Sequence, residues 1–228
     1  MKKIVLIGAG GHCKVVIDII KSTNEYEIIG ITDKTEKLFN ILDVPVIGDD
    51  NRLIQIFNSG VHNAFICVGA LNNINSRQLI YNKLKSIGFN LPVLRHKNSI
   101  ISKYTSIGEG TCIMPGAIIN AGSLLGINCI VNTGSIIEHD CNIGNNTHIS
   151  PNVAIGGDVN IGNNTHIGIG SSILQGINIG SNVTIGAGAV VINNIDDNVL
   201  AVGVPAKVIK IKENYKGQYI NTYKEQKR

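Results

Sequence analysis

Residues 137–161 read IEHDCNIGNNTHISPNVAIGGDVNI, and every sixth residue of this stretch, from Ile137 to Ile161, is an isoleucine. The same period continues in both directions without a break in frame. An α-helix repeats every 3.6 residues and a β-strand every two, so neither element explains a period of six. The period therefore decides the fold of the C-terminal half. Sixteen aliphatic residues occupy it: Ile101, Ile107, Ile113, Ile119, Leu125, Val131, Ile137, Ile143, Ile149, Ile155, Ile161, Ile167, Ile173, Ile179, Ile185 and Val191.

A second series accompanies the aliphatic one. Gly or Asn often follows the aliphatic residue, as in Ile143-Gly144-Asn145-Asn146, and both residues tolerate the left-handed backbone that sharp corners need. The pattern predicts a triangular parallel β-helix of about five coils, with one hexapeptide per face and coils stacked at about 4.8 Å. The spacing does not determine its hand, since the general rule for crossovers favours the right hand. Small or β-branched residues, expected to point inward near corners, stand four positions after the first nine aliphatic ones: Thr105, Thr111, Ala117, Ser123, Cys129, Ser135, Cys141, Thr147 and Val153.

Strand and helix patterns alternate before the repeat begins, which indicates a small Rossmann-like parallel sheet. We therefore predict three parts: an α/β domain over residues 1–95, a β-helix over 96–206 and a basic tail over 207–228. The tail carries seven basic and two acidic residues, and it is expected to be a solvated end unless its lysines approach a phosphate-bearing ligand. The predicted strands of the first part are 2–7, 27–32, 64–68 and 89–94, and the predicted helices are 12–21, 49–59 and 75–86.

A glycine-rich turn follows the first predicted strand, in Gly8-Ala9-Gly10-Gly11-His12. Backbone N–H groups at the start of a helix suit phosphate, and ligands of such sheets bind beyond the carboxyl ends of the strands. The dinucleotide fingerprint is incomplete because position 13 is Cys, which argues against a dinucleotide cofactor. A plain tight turn explains the glycines equally simply, but His12 is then unexplained, so we expect a diphosphate or sugar contact. The candidate residues are Gly10, Gly11, His12, Asp33 and Gly69.

The repeat region contains three histidines that bear on chemistry. His148 and His166 are eighteen residues apart, so they are expected to stack in consecutive coils. His139 precedes His148 by nine residues, which separates the two in one prism but allows them to approach between subunits. Neutral imidazole suits a general base at cellular pH. We expect His139 in that role with Asp140 as its acidic partner and Glu138 as second choice; the alternative is an ordinary surface histidine.

Three segments carry a resemblance to a known family: residues 132–141 (NTGSIIEHDC), 7–12 (IGAGGH) and 202–207 (VGVPAK). They resemble, in the same order along nearly the whole chain, the sialic acid/bacillosamine acetyltransferase family of NeuD/PglD type. That family belongs to the hexapeptide-repeat acyltransferases. The resemblance implies a left-handed β-helix, acetyl-CoA as co-substrate and a homotrimer with active sites between subunits.

The resemblance also implies roles for individual residues. His139 becomes the catalytic base and Asp140, where some members have Glu, its acidic partner. A nucleotide-sugar site is implied for Gly10, Gly11, His12, Asp33 and Gly69. Two departures from the family pattern are Lys34, where some members carry a second acid, and His96-Lys97, where many have His-Pro. The first departure bears on the identity of the acceptor. The residues implied to line the acetyl-CoA groove are Asn132, His148, Gly157, Ile169 and Ala187, of which Ala187 is equally explained as one more corner of the prism.

The expected activity is transfer of acetyl from acetyl-CoA to the C4 amine of a nucleotide-linked amino-deoxy sugar, of UDP-bacillosamine type, in bacterial surface-glycan biosynthesis. Two alternatives stay open: O-acetylation of sialic acid or a related nonulosonate, and a non-catalytic role beside a sugar biosynthetic enzyme. A zinc site like that of γ-class carbonic anhydrases, which use the same prism, does not fit the histidine spacings of nine and eighteen residues. No metal is expected.

The composition bounds the location and partners of the protein. Five cysteines without a C-x-x-C motif indicate reduced, mostly buried thiols and a cytoplasmic protein. The apolar run that follows Met1-Lys2-Lys3 breaks at Gly8, too early for a signal peptide, and no stretch is long enough to span a membrane. The aromatic interleaving typical of RNA binding is absent, so nucleic acid is not an expected partner.

Overall fold

The structure is a computed structural model that describes residues 1–34, 39–69 and 74–212. Residues 213–228 of the predicted basic tail therefore lie outside the described residues. The α/β fold followed by a left-handed parallel β-helix is confirmed. The boundaries proposed for the three parts of the chain stay a prediction.

The N-terminal part is a five-stranded sheet of order β3-β4-β2-β1-β5, parallel except for β3. The last four residues of β1, which are buried and aliphatic, and a buried face of α1 hold its layers together. The strands are β1 (Lys2–Ile7), β2 (Tyr26–Thr32), β3 (Asn40–Ile41), β4 (Val44–Gly48) and β5 (Asn63–Ile66), and the helices are α1 (Gly11–Thr23), α2 (Leu53–Asn58, after a 3-10 turn at Asp50–Arg52) and α3 (Ile74–Ile87).

Two features of this sheet differ from the sequence prediction. The predicted strand 89–94 is wrong, because the segment makes only an isolated bridge from Asn90 to Asn63 and its last residue begins a strand of the β-helix. Phe89 and Leu91 are buried, so the apolar pattern reports burial without strand pairing. The two-residue edge strand β3 and its neighbour β4 were not predicted; β4 contains Pro45, a residue that strand interiors avoid.

The C-terminal part is a triangular prism of short parallel strands, each paired with the strand one coil, or eighteen residues, away. We call its sides the first, second and third face in chain order. The first face contains Ile100–Ile101, Ile118–Ile119, Ile136–Ile137, Ala154–Ile155, Ser172–Ile173 and Val190–Val191; the second contains Ser106–Ile107, Leu124–Leu125, Asn142–Ile143, Asn160–Ile161 and Asn178–Ile179; the third contains Leu94–Arg95, Cys112–Ile113, Ile130–Val131, His148–Ile149, His166–Ile167, Thr184–Ile185, Val199–Val202 and the antiparallel Lys207–Ile211.

The inside of the prism follows the period of six. Every aliphatic residue of the series points inward, and only Ile101 and Ile107, in the first coil, are less than fully buried. Hydroxyls of the small-residue series bond to backbone carbonyls at the corners, as Thr147 Oγ1 does to Gly162 O at 2.9 Å. The inward residue near each corner is small because larger side chains have no space there. Where that residue is Ser or Thr, its buried hydroxyl needs the acceptor that the carbonyl provides.

Corner residues divide into two kinds that the sequence does not distinguish. Left-handed backbone occurs three residues after the aliphatic one, as at Asn146 with φ 57° and Asp140 with φ 60°. The glycine directly after the aliphatic residue has a different reason, since a Cβ on Gly144 would lie 2.6 Å from the backbone of Gly162 in the next coil. Such glycines permit close stacking of coils.

The N-terminal part packs on the third face of the prism. Helix α1 buries its apolar side against Cys112, Met114 and Ile130, which lie on or beside that face. The next outward-facing position after Ile130 in that column is His148. Among the described helices, none is long and apolar enough to span a membrane.

Candidate active site

His139 and Asp140 form a hydrogen-bonded pair at the corner between the first and second faces. His139 Nδ1 lies 2.9 Å from Asp140 Oδ2, and both side chains are exposed. A carboxylate at Nδ1 holds the ring proton on that nitrogen, so the lone pair of Nε2 is available to accept another proton. This is the arrangement expected of a general base with an orienting acid.

Backbone hydrogen bonds hold the turn that carries this pair. Ser123 Oγ donates to Glu138 O at 2.7 Å from the coil before, and Asp140 N donates to Ala121 O at 3.0 Å. Asp158 N, in the next coil, donates to His139 O at 2.9 Å. The left-handed φ of Asp140 turns its carboxylate back toward the preceding ring. The stacked coils therefore fix the backbone of the two side chains on both sides.

Negative charge surrounds His139. The hydrogen bond that His139 Nδ1 donates to Asp140 is the main cause that raises the pKa of His139 above its usual value, and the charges of Asp140, Glu138 and Asp158 act in the same direction. Asp158 was not named from the sequence, although it stands eighteen residues after Asp140 and so occupies the same corner one coil on. A base with a raised pKa binds its proton more tightly. As the pH falls, it therefore becomes protonated, and inactive as a base, at a higher pH than an ordinary histidine does.

His148 and His166 stack on the third face, as expected, with ring centroids 5.1 Å apart. Thr133 N donates to Asn132 Oδ1, so the Asn132 amide nitrogen is the group that faces His148 Nε2 at 3.3 Å. Burial, together with the charge of His166, lowers the pKa of His148 well below its usual value. His148 is therefore neutral with its proton on Nδ1, and this buried N–H has no hydrogen-bond partner among the described residues.

The residues predicted to line the acetyl-CoA groove lie at two different corners. Asn132, Ile169 and Ala187 follow strands of the third face, and Ile169 and Ala187 are exposed in consecutive coils. Gly188, beside Ala187, has nothing within 4 Å of the position where a Cβ would be, so this corner is open. Gly157 instead follows a strand of the first face and is buried beneath His139. Within one protomer the structure does not bring Gly157 to these three residues or to His148 on the third face.

The predicted nucleotide-sugar residues cluster at the carboxyl ends of β1, β2 and β5. Asp33 accepts a hydrogen bond from Ala9 N at 2.6 Å, so it holds the glycine turn in place. Gly10 and Gly11 have open space where a Cβ would be. Burial and the charge of Arg77 lower the pKa of His12 to about 4, and its Nε2 is buried without a hydrogen-bond partner among the described residues. These residues present open backbone and a neutral imidazole to a ligand.

Arg77, in α3, joins this cluster to the prism and was not predicted from the sequence. Its guanidinium is buried and donates to Val68 O at 2.6 Å and to Asn128 Oδ1 at 2.7 Å. Val68 precedes Gly69, and Asn128 is a corner residue of the β-helix. Through these two hydrogen bonds Arg77 connects the segment after β5 to the corner that precedes the third face. Arg77 occupies a buried position of α3 that an apolar residue would also suit. No motif in the sequence marks it as part of the site.

The described residues bear on the predictions about cysteines and metal sites. All five cysteines are buried and unpaired, which confirms that they are mostly buried, as predicted. Burial raises the pKa of the Cys112 thiol to about 12 and of the Cys129 thiol to about 11. Within residues 1–34, 39–69 and 74–212, no group of three or more His, Cys, Asp or Glu side chains is arranged to hold a metal ion.

Two family profiles match the chain. The profile described as the PglD N-terminal domain matches residues 3–84, and the bacterial transferase hexapeptide profile matches residues 158–193. The search of curated proteins found no match.

Solved structures match over both parts of the chain. PerB from Caulobacter crescentus, in complex with CoA and GDP-perosamine, is 36% identical with a TM-score of 0.86, covering 91% of this chain and 97% of the other. The acetyltransferase domain of PglB from Neisseria gonorrhoeae, in complex with acetyl coenzyme A, is 35% identical with a TM-score of 0.85, covering 91% and 99%. WeeI from Acinetobacter baumannii, 23% identical with a TM-score of 0.81 and coverage of 92% and 100%, shares the fold.

Proposed function

The chain belongs to the hexapeptide-repeat acetyltransferases of NeuD/PglD type, and from this premise we propose that it transfers the acetyl group of acetyl-CoA to the amine of a nucleotide-linked amino sugar. The observation that carries the proposal is the His139–Asp140 pair, with Nδ1 bonded to the carboxylate and Nε2 left to take a proton. A structural prism has no need of such a pair.

Acetyl-CoA is the co-substrate, as in the Neisseria domain. We place it along the open corner formed by Asn132, Ile169 and Ala187, where small and apolar residues of successive coils leave the backbone accessible. Stacked corners give an extended groove parallel to the axis of the prism, which suits a long, narrow molecule. His148 lies in the strand between those that precede Asn132 and Ile169, and its buried Nδ1 has no hydrogen-bond partner among the described residues.

The acceptor is a nucleotide sugar, as in the Caulobacter enzyme. The open backbone at Gly10 and Gly11, at the start of α1, suits its diphosphate. His12, neutral at cellular pH, faces the sugar, with Asp33 and Gly69 completing the site. We propose a UDP-linked sugar with its amine at C4, and a role in bacterial surface-glycan biosynthesis.

The chemistry at His139 is a proton transfer. The neutral amine attacks the thioester carbonyl carbon, and a C–N bond forms while the C–S bond breaks. Nε2 of His139 takes the proton that the amine nitrogen loses, and the departing thiolate sulfur of CoA receives a proton in turn. Asp140 stabilises the charged imidazolium between these two steps. No covalent enzyme intermediate is needed, because the amine is itself the nucleophile.

We propose that the active protein is a homotrimer located in the cytoplasm, where acetyl-CoA and nucleotide sugars are both available. His139 and the acetyl-CoA corner lie at opposite edges of the first face in one protomer. Outward residues of that face include Ile100, which is 65% exposed, and Ile136, which is 36% exposed. A cyclic arrangement that covers this face brings the His139 corner of one subunit to the acetyl-CoA corner of its neighbour.

The first test is release of the CoA thiol from acetyl-CoA, with a UDP-linked 4-amino-4,6-dideoxy sugar and free sialic acid offered in parallel. We expect release with the amino sugar and a loss of about a hundredfold to ten-thousandfold in His139→Ala. His62→Ala, which changes an exposed histidine of the N-terminal part, is the control and should retain activity. Release only with sialic acid would replace N-acetylation by O-acetylation. Silence with both acceptors, in protein that binds acetyl-CoA, would contradict the proposal.

A further inference from the structure

Two glycines lie against the side chains of the His139–Asp140 pair, one in the coil after it and one in the coil before. A Cβ on Gly157 would lie 2.6 Å from both Cε1 and Nε2 of His139 and 3.2 Å from Cδ2. A Cβ on Gly122 would collide with Oδ1 of Asp140. Real Cβ atoms do not approach other heavy atoms this closely, so both side chains occupy space that exists only because the neighbouring residue is glycine.

The backbone does not explain Gly157. Its φ lies outside the left-handed region, so any residue is able to adopt its conformation. The equivalent positions of neighbouring coils, eighteen residues apart, carry Ala121, His139 and Gln175, so the corner accommodates side chains there. What distinguishes position 157 is the imidazole that covers it, and Gly157 is buried for that reason.

Gly122 has a φ of +79°, which favours glycine, but this is not sufficient to explain it. The next two residues in its column are Asp140, with φ 60°, and Asp158, with φ 56°, so non-glycine residues occur at the same corner with the same backbone. Gly176 continues the column with φ +70° and has nothing within 4 Å of a Cβ position. Gly122 and Gly176 therefore share a backbone conformation, and they differ in whether a carboxylate lies against them.

We propose that Gly157 and Gly122 are positioning residues of the acetyl transfer, which hold the His139 ring and the Asp140 carboxylate against the coils so that Nδ1 meets Oδ2 and Nε2 faces the acceptor amine. The expected loss of kcat rests on the proposed function, whereas the expected displacement of the His139 ring or the Asp140 carboxylate does not. For Gly157 this role is additional to the groove-lining role implied by family resemblance, since it depends on contact with the His139 ring.

Adding a methyl group at either position moves one member of the pair. In Gly157→Ala the ring must leave its place above the coil, and in Gly122→Ala the carboxylate must turn away. Both changes weaken the Nδ1–Oδ2 hydrogen bond that raises the pKa of His139, while the charges of Glu138 and Asp158 remain. The pKa of His139 should therefore fall in both variants toward its value in Asp140→Asn, and displacement of a catalytic group by about 1 Å should lower kcat on the order of a hundredfold.

The experiment is an NMR titration of the histidine rings in the ligand-free full-length protein, with the His139 signal assigned by its loss in His139→Ala. Gly157→Ala, Gly122→Ala and Asp140→Asn are compared with two controls, Gly176→Ala and Gln175→Ala, which change the same two columns away from the pair. We expect the pKa of His139 to fall in the first three proteins and to stay at the wild-type value in the controls. Steady-state kinetics should show a fall in kcat with little change in the KM for acetyl-CoA.

An unchanged pKa of His139 in folded Gly157→Ala would overturn the inference, and a raised KM for acetyl-CoA together with that unchanged pKa would assign Gly157 to the groove alone. A melting temperature matching that of Gly176→Ala shows that Gly122→Ala is folded. Failure of the proposed function is a separate result: wild-type activity in His139→Ala would contradict the catalytic role while the titration still reported the geometry.

Discussion

Asparagine at the corners between the second and third faces combines two properties that no other residue offers together. Asn146 has a φ of 57°, and its side chain accepts from Asn128 Nδ2 at 2.8 Å and donates to Asn164 Oδ1 at 3.1 Å. Left-handed backbone is costly for most residues with a Cβ, but asparagine adopts it more readily because its short polar side chain bonds locally. The result is a ladder of amides that joins successive coils.

At the residue scale, this ladder predicts a ranking of two substitutions. Asn146→Gly removes both side-chain hydrogen bonds but keeps the left-handed backbone, whereas Asn146→Ala removes the same bonds and adds strain. We expect both to be less stable than the wild type, with Ala below Gly by roughly 0.5 to 1 kcal/mol after the greater flexibility of glycine is subtracted. Urea unfolding followed by circular dichroism measures the difference. An alanine variant at least as stable as the glycine variant would show that this corner does not require left-handed backbone.

The third face is the element that connects the two parts of the chain, and its outward column changes character along the axis. Cys112 and Ile130 lie beneath α1, and His148 and His166 follow them. Burial is the main cause that lowers the pKa of His166 to about 4, as it is for His12 and His148. Packing of the N-terminal part on this face thus leaves His12 and His148 desolvated and neutral beside the proposed acceptor site, and His166 continues the column.

At the element scale, these histidines predict a loss of stability in acid. Between pH 6.5 and 4 the unfolded chain binds protons on His12, His148 and His166 that the folded chain does not, so stability is fully present above pH 6.5 and falls as the pH falls. For His12 and His166, a pKa lowered from 6.5 to about 4 corresponds to about 3 kcal/mol each. The urea midpoint should fall between pH 7 and pH 5.

The matched variants for this prediction are His166→Gln and His62→Gln. The first removes one buried titrating ring and should flatten the dependence of the urea midpoint on pH, while the second changes an exposed ring and should leave it as in the wild type. If the urea midpoint depended on pH equally in all three proteins, the histidines of the third face would be able to bind protons in the folded state.

At the scale of the whole molecule, the two halves of the active site come from different subunits in the proposed trimer. The His139 corner and the corner that carries Ala187 are separated by the first face of the prism, so one protomer does not present both to the same ligand. A cyclic trimer solves this because each interface joins unlike edges of two identical chains. The exposed isoleucines of the first face are then covered.

This arrangement predicts complementation between inactive variants. His139→Ala keeps an intact acetyl-CoA corner, and Ala187→Trp keeps an intact base while filling that corner. When the two variants assemble at random in equal amounts, about a quarter of the wild-type activity should return. At each interface, the subunit that supplies the His139 corner is intact there in about half of the cases, and so is the neighbour that supplies the acetyl-CoA corner. Native mass spectrometry verifies mixed trimers, and the separately expressed proteins mixed after assembly are the control. No recovery in verified mixed trimers would place the whole site within one subunit.

The amino-acid sequence by itself determined the fold class, the inward residues of the prism and the stacking of His148 on His166. These features depend on periods of six and eighteen, which persist whatever the neighbouring elements do. The alternation of strand and helix likewise predicted the parallel sheet. The pattern of apolar residues within each element is sufficient to identify that element as a strand or a helix. The hand of the β-helix came from family resemblance, since spacing carries no handedness.

Only the tertiary structure decided which contacts cross between coils and between parts of the chain. It separated left-handed corner residues from glycines of close approach, placed Gly157 beneath His139, and buried Arg77 between Val68 and Asn128. It also ended the N-terminal sheet before residues 89–94. The physical reason is common to all of these: close approach, desolvation and hydrogen bonding of a buried charge depend on what packs against a residue, and that partner lies at a distance along the chain that no local pattern records.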